Sequence, residues 1–191
     1  DPLAIATVAA AAAAAELVLE DVLAARRHVQ QAKAAITRSS SSYGRAWVAI
    51  MDACVELTDG EPMAADKLLA QARVPAAESL GEEAGIVSTL DFVHARALLD
   101  LGRTEAARLK ALAGLARAGV HGLTETTFQG FVACVALWDG TDDDVFGPAA
   151  LDAVARSYTP RAQRALSVLQ VQRLLCLGRV ADAQVLARRQ L

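Results

Sequence analysis

The chain reads as an all-helical domain of helix-turn-helix pairs stacked side by side, and three observations lead there. Apolar residues make up 54% of the 191 residues but aromatic ones only 4%, so Ala, Leu and Val must build the core, and Ala and Leu are strong helix formers. Apolar runs end repeatedly at glycine-bearing turns, at near-equal intervals along the chain. No stretch alternates apolar and polar residues for long enough to make a strand.

The turns set the register. Cys54-Val55-Glu56-Leu57-Thr58-Asp59-Gly60 recurs as Cys134-Val135-Ala136-Leu137-Trp138-Asp139-Gly140, and Leu98-Leu99-Asp100-Leu101-Gly102-Arg103 recurs as Leu174-Leu175-Cys176-Leu177-Gly178-Arg179. A helix C-terminus needs a left-handed residue just past its end, which glycine supplies. A fifth turn, without glycine, fits at Glu20-Asp21. The turns then stand at 20, 60, 102, 140 and 178, spaced by 40, 42, 38 and 38 residues.

Alignment on these turns exposes a shared core. Leu17, Leu57, Leu99, Leu137 and Leu175 stand three residues before each turn; Ala13, Ala53, Ala95, Ala133 and Val171 stand seven before; Ala10, Ile50, Phe92, Gly130 and Val168 stand ten before. Offsets of three, seven and ten trace one helix face. Five residues after the turn stand Ala25, Ala65, Ala107, Val145 and Ala183. The first helices are expected at 3–19, 43–58, 84–101, 123–138 and 160–177, and the second at 21–37, 61–73, 103–118, 147–157 and 179–190. Ser39-Ser40-Ser41-Ser42, Val74-Pro75 and Tyr158-Thr159-Pro160 mark the expected breaks between pairs. Leu99 and Leu137 are expected to be buried within their pairs. Five pairs of this length predict one α-α solenoid spanning residues 1–191, a right-handed superhelix with the first helices on its concave face.

Composition excludes several classes of function. The net charge of -3 argues against a nucleic-acid surface, which requires a basic face. The apolar run from Leu3 to Ala15 is too short for a membrane span and has no basic residues ahead of it. Cys54, Cys134 and Cys176 lack metal-type spacing and read as small buried hydrophobes in a reducing, cytoplasmic protein. His28, His94 and His121 are too scattered for a metal site. Asp142, Asp143 and Asp144 lack the alternating ligands of a calcium loop and read as a turn and helix cap. The serines at 39–42 lack a nucleophile elbow and read as a linker. No catalytic residues and no cofactor are expected. The chain opens on Asp1-Pro2 and closes on Arg188-Arg189-Gln190-Leu191 inside a helical pattern, so a segment of a longer, multidomain protein is expected.

Pairs with glycine at the inner turn and alanine five residues later resemble the tetratricopeptide plan, although the period here is nearer 40 than 34 residues and that family's Trp and Tyr positions are mostly absent. Four segments, Ser42-Tyr43-Gly44-Arg45-Ala46-Trp47, Leu98-Leu99-Asp100-Leu101-Gly102-Arg103-Thr104-Glu105-Ala106-Ala107, Leu115-Ala116-Arg117-Ala118-Gly119-Val120 and Arg173-Leu174-Leu175-Cys176-Leu177-Gly178-Arg179-Val180-Ala181-Asp182-Ala183, and their order, resemble the superhelical region of MalT-like, ATP-dependent LuxR-type transcription activators. The resemblance implies a middle domain between a nucleotide-binding switch and a DNA-binding module. There it would receive a small-molecule inducer or a regulatory protein and control self-association. The fourth repeat departs from the pattern, with Val145 for alanine and Thr141-Asp142-Asp143-Asp144 inserted. Neither a phosphate-binding loop nor a basic recognition helix is present within the sequence.

Beside the core stripe runs a second, mostly polar one, at four, eight, eleven and fifteen residues before each turn. It carries Arg45, Asp52, Glu56, Asp91, His94, Glu125, Gln129, Gln163, Ser167 and Gln170. Its variation between repeats suits a ligand-reading groove; a solvated helix face is the plainer reading. Trp47, Phe128 and Phe131 on the same helices are candidate apolar walls, with core packing as the alternative. The candidate ligand-binding set is Arg45, Trp47, Asp52, Asp91, His94, Glu125, Gln129 and Gln170. With no Arg or Lys cluster read beside it, a neutral, hydroxyl-rich or amide-bearing ligand is expected. A free-standing adaptor docking a partner's peptide is the other reading. An exposed apolar end, with Val171, Leu175 and Val185, would allow a homo-oligomer.

Overall fold

Residues 1–118, 171, 174–175 and 177–190 are described by the computed structural model of the chain. Among the described residues there are seven helices and no strand: α1 (Pro2–Val18), α2 (Val22–Ile36), α3 (Ser42–Thr58), α4 (Pro62–Leu80), α5 (Gly85–Asp100), α6 (Thr104–Ala118) and α7 (Val180–Gln190). The fourth turn, the fourth pair and most of the fifth first helix lie outside the described residues, as do Leu137 and the expected break at Tyr158-Thr159-Pro160.

Each described first helix ends the same way. Glu20, Gly60, Gly102 and Gly178 all hold positive φ, at 63°, 83°, 71° and 71°. Their N–H groups donate to Leu17, Leu57, Leu99 and Leu175 at 2.8–3.2 Å, and the next residue's N–H reaches back to Glu16, Glu56, Leu98 and Leu174 at 2.8–3.0 Å. This double closure satisfies carbonyls that a helix end would otherwise leave open. The residue after the turn then starts the second helix: the carbonyls of Asp21, Glu61, Arg103 and Arg179 accept from Ala25, Ala65, Ala107 and Ala183 at 3.0–3.3 Å. Side chains cap three of the helices, with Asp1 accepting from Leu3 N–H, Asp21 from Ala24 N–H and Ser41 from Gly44 N–H.

The alanines of the repeat lie inside the core. Ala13, Ala53 and Ala95, seven before the turn, are fully buried, as are Ala25, Ala65 and Ala107, five after it. Helices α1 and α2, α3 and α4, and α5 and α6 pack as hairpins, and the first helices touch in series, α1 on α3 and α3 on α5. The leucines three before the turn are less buried than expected. Leu17, Leu57 and Leu99 are half-buried and Leu175 is 50% exposed. They lie in the last helical turn, at the rim of the pair interface, where the chain is already swinging away.

The expected break at Val74-Pro75 is also corrected, because α4 continues through Pro75 to Leu80. Proline removes one helical hydrogen bond and crowds the preceding turn. Here Val74 and Pro75 are exposed while Ala76 and Ala77 are buried against the core, and that burial keeps the helix going. The chain breaks instead at Gly81, at φ 89°. The serine break stands as expected, with α2 ending at Ile36 and Ser41 capping α3.

Glu20 alone among these turns carries a side chain in the left-handed region, which costs an L-residue about 1–2 kcal/mol. Glu20→Gly should therefore raise stability and Gly102→Ala lower it by about 1 kcal/mol. Urea unfolding midpoints of the two variants, shifted in opposite directions, check this.

Candidate functional site

Four described members of the second stripe, Asp52, Glu56, Asp91 and His94, meet charged groups of the preceding hairpin. At the boundary of α2 and α3, Lys33 Nζ donates to Asp52 Oδ2 at 2.7 Å. Arg26 donates to Glu56 Oε1 and Asp59 Oδ2, each at 2.6 Å. At the boundary of α4 and α5, Arg73 donates to both Asp91 oxygens at 3.2 and 3.3 Å and to Glu82 at 2.5 and 2.8 Å. Lys110 of α6 adds a 3.0 Å bond to Asp91 Oδ1. His94 Nε2 lies 2.6 Å from Asp66 Oδ1, and Arg103 donates to Asp66 Oδ2 at 3.2 Å.

The second helices supply their partners from fixed places. Arg26 and Asp66 stand six after their turns; Lys33 and Arg73 stand thirteen after. At the later position the polarity repeats, Lys33 to Asp52 and Arg73 to Asp91. At the earlier one it reverses on both sides, Arg26 to Glu56 but Asp66 to His94.

Burial and charge compete at these groups. Burial pushes the Asp91 carboxyl upward, but Arg73 and Lys110 outweigh it and hold it below the ordinary carboxylate value. Burial pushes His94 below its ordinary value, aided by Lys110 and opposed by the Asp66 hydrogen bond. A neutral His94 must carry its proton on Nε2 to donate to Asp66, which leaves the buried Nδ1 with no hydrogen-bond partner among the described residues. Among those residues no serine, threonine or cysteine hydrogen-bonds to this His-Asp pair. The Cys54 thiol is pushed up to about 11 by burial, so it is a poor nucleophile. No cluster of three or more metal-ligating side chains exists among the described residues, and none of the described helices is long and apolar enough to cross a membrane.

The candidate set divides accordingly. Asp52, Asp91 and His94 are buried in hairpin boundaries, Asp91 and His94 at one and Asp52 at the other. Arg45 is exposed and bonds the carbonyls of Ser39 and Ser40 and the Ser42 hydroxyl, pinning the serine link. Trp47 is half-buried against the core. Glu125, Gln129 and Gln170 lie outside the described residues, as do Phe128 and Phe131. The absence of a basic cluster, read from first helices alone, is corrected: Arg26, Lys33, Arg73 and Lys110 reach the stripe from the second helices, and Arg103 pairs with Asp66 beside His94. The recurrence of a cation thirteen after the turn, Lys33 and Arg73, was the signal that could have found the partners of Asp52 and Asp91.

Compared with family models, curated proteins and solved structures, the chain finds no match.

Asp91 offers the sharpest stability test, because its side chain is 2% exposed and pairs with two cations. Asp91→Ala should cost about 3 kcal/mol, near the lower bound for a broken buried pair because Arg73 keeps Glu82; denaturant titration reads it. His94 predicts a pH dependence. Its folded pKa lies below its ordinary 6.5, so the unfolded chain binds the proton first as pH falls. Stability should be full above 6.5 and decline below it, and His94→Gln, which still donates to Asp66, should flatten that decline. Melting temperatures measured from pH 7.5 to about 5 check this.

Proposed function

We propose that this chain is a non-enzymatic regulatory module, the superhelical repeat region of a MalT-like LuxR-type transcription activator. In this reading five TPR-like pairs form a right-handed solenoid. It receives an inducer or a regulatory protein and passes the event on as a change in self-association. The supporting observation is the recurrence of one turn at 20, 60, 102 and 178, each with a left-handed residue and the same pair of closing hydrogen bonds. A chain that repeats one hairpin along its length builds an extended face rather than a pocket around one catalytic group. The boundaries between hairpins carry ion pairs that are partly exposed at their rims, so a ligand bound across them would bear on the stacking.

A ligand that spans first helices of successive hairpins would bear on two boundaries together. The test is a titration with a panel of neutral sugars and of peptides, followed by amide chemical shifts. Shifts spread along α3 and α5 are expected. Shifts confined to second helices, around Arg108 and Arg188, would place binding on the other side and refute the groove.

A further inference from the structure

Helix α1 keeps the residues of an interior helix on a face that no described residue covers. At 16, 12, 9 and 5 residues before the turn, α3 carries Gly44, Val48, Met51 and Val55, and α5 carries Ile86, Leu90, Val93 and Ala97; all eight are buried. The equivalent residues of α1 are Ala4, Val8, Ala11 and Ala15, all exposed, Val8 at 70% against 4% for Val48 and 0% for Leu90. One position further along, Ile5 is 52% exposed where α5 buries Val87 completely.

Within this molecule the cover over that face is known. A Cβ on Gly44 would meet Leu3 of α1 and Ile36 of α2, so the preceding hairpin presses on the stripe from both its helices. Beside the stripe, Glu56 takes Arg26 from α2. The α1 equivalent of Glu56 is Glu16, half-buried and with no cation on its carboxylate among the described residues.

We infer that the exposed face of α1 docks a further helical hairpin of this same repeat. It would stack ahead of α1 as α1–α2 stacks on α3 and set an Arg or Lys, six residues after its turn, over Glu16. The inference rests on the repeat-module reading. It names the partner of one end of the array, whereas the ligand titration concerns the face along its length, so either can fail without the other. A second copy of the chain pairing through α1 is the competing occupant.

The turns at 20 and 60 allow a direct test, because a copy of residues 1–40 fused ahead of Asp1 shifts the pattern by one 40-residue repeat. The added α2 then brings its Arg26 to Glu16. Leu3→Ala and Ile36→Val in the added copy make room for Ala4, which stands where α3 has Gly44. Hydrogen exchange of the original α1 amides should slow about tenfold or more relative to the unextended chain, and Glu16→Lys in the extended chain should reverse part of that gain. Unchanged exchange in a folded extended chain overturns the inference. Sedimentation of the unextended chain is independent of whether the fusion folds. A monomer is expected. A dimer that Val8→Asp abolishes and Met63→Asp, on the exposed side of α4, preserves would assign the face to a second copy and overturn it as well.

Discussion

The left-handed residue that ends each first helix sets the course of the second. It closes two backbone hydrogen bonds and points the next helix back along the first, and five residues later the chain delivers an alanine that has no exposed surface in the three complete hairpins. Ala13, seven before the turn, and Ala25, five after it, are both fully buried, and the same holds for Ala53 with Ala65 and Ala95 with Ala107. Small side chains at both places let the helices of a pair lie close, so dispersion contacts and not large side chains fill the pair. A chain with 4% aromatic residues can build a core this way.

That core was legible because it is periodic. Glu20 could be placed as a turn without a glycine, since the alanines on either side fall in register with those around Gly60 and Gly102. What was not legible depends on context beyond the period. Pro75 looks like a stop until Ala76 and Ala77 are seen to be buried. Leu99 recurs in every copy, yet recurrence does not report depth, and a leucine in the final turn of a helix reaches only the rim of its interface. The polar stripe was read on the first helices, but its partners sit on second helices, Arg26, Lys33, Asp66 and Arg73 in the preceding pair, 18 to 30 residues away in sequence, and Lys110 in the same pair. A pattern aligned on first helices alone cannot show them.

These boundary pairs contribute differently from the alanines. Removing Asp91 and Asp52 from water costs much of what their cations return, so such pairs add little net stability compared with apolar contacts of the same size. Their effect is asymmetric: a made pair gains little, and a half-made one loses a great deal. Burial deepens that asymmetry at the boundary of α4 and α5, where Asp91 is 1% exposed and His94 already lacks a partner on Nδ1 among the described residues.

This asymmetry encodes the order of the hairpins. Suppose α2, in the register it uses on α3, were set against α5. Arg26 would then lie over Leu98, a buried apolar residue, and Lys33 beside His94. Suppose α4, in its own register, were set against α3. Asp66 would then face Asp52, two carboxylates with no cation between them, and Arg73 would face Ala49. Each exchange leaves a charge without its counter-charge, and the cost is greatest at Asp52, which is buried. The apolar surfaces alone would not discriminate, since Val48 and Leu90, or Val55 and Ala97, offer much the same contact to an incoming helix. The reversal of polarity six residues after the turn, from Arg26 to Asp66, is therefore what makes one hairpin the wrong neighbour for another's partner. An array whose repeats share a nearly uniform alanine core needs such a difference at its seams, because the core cannot supply it.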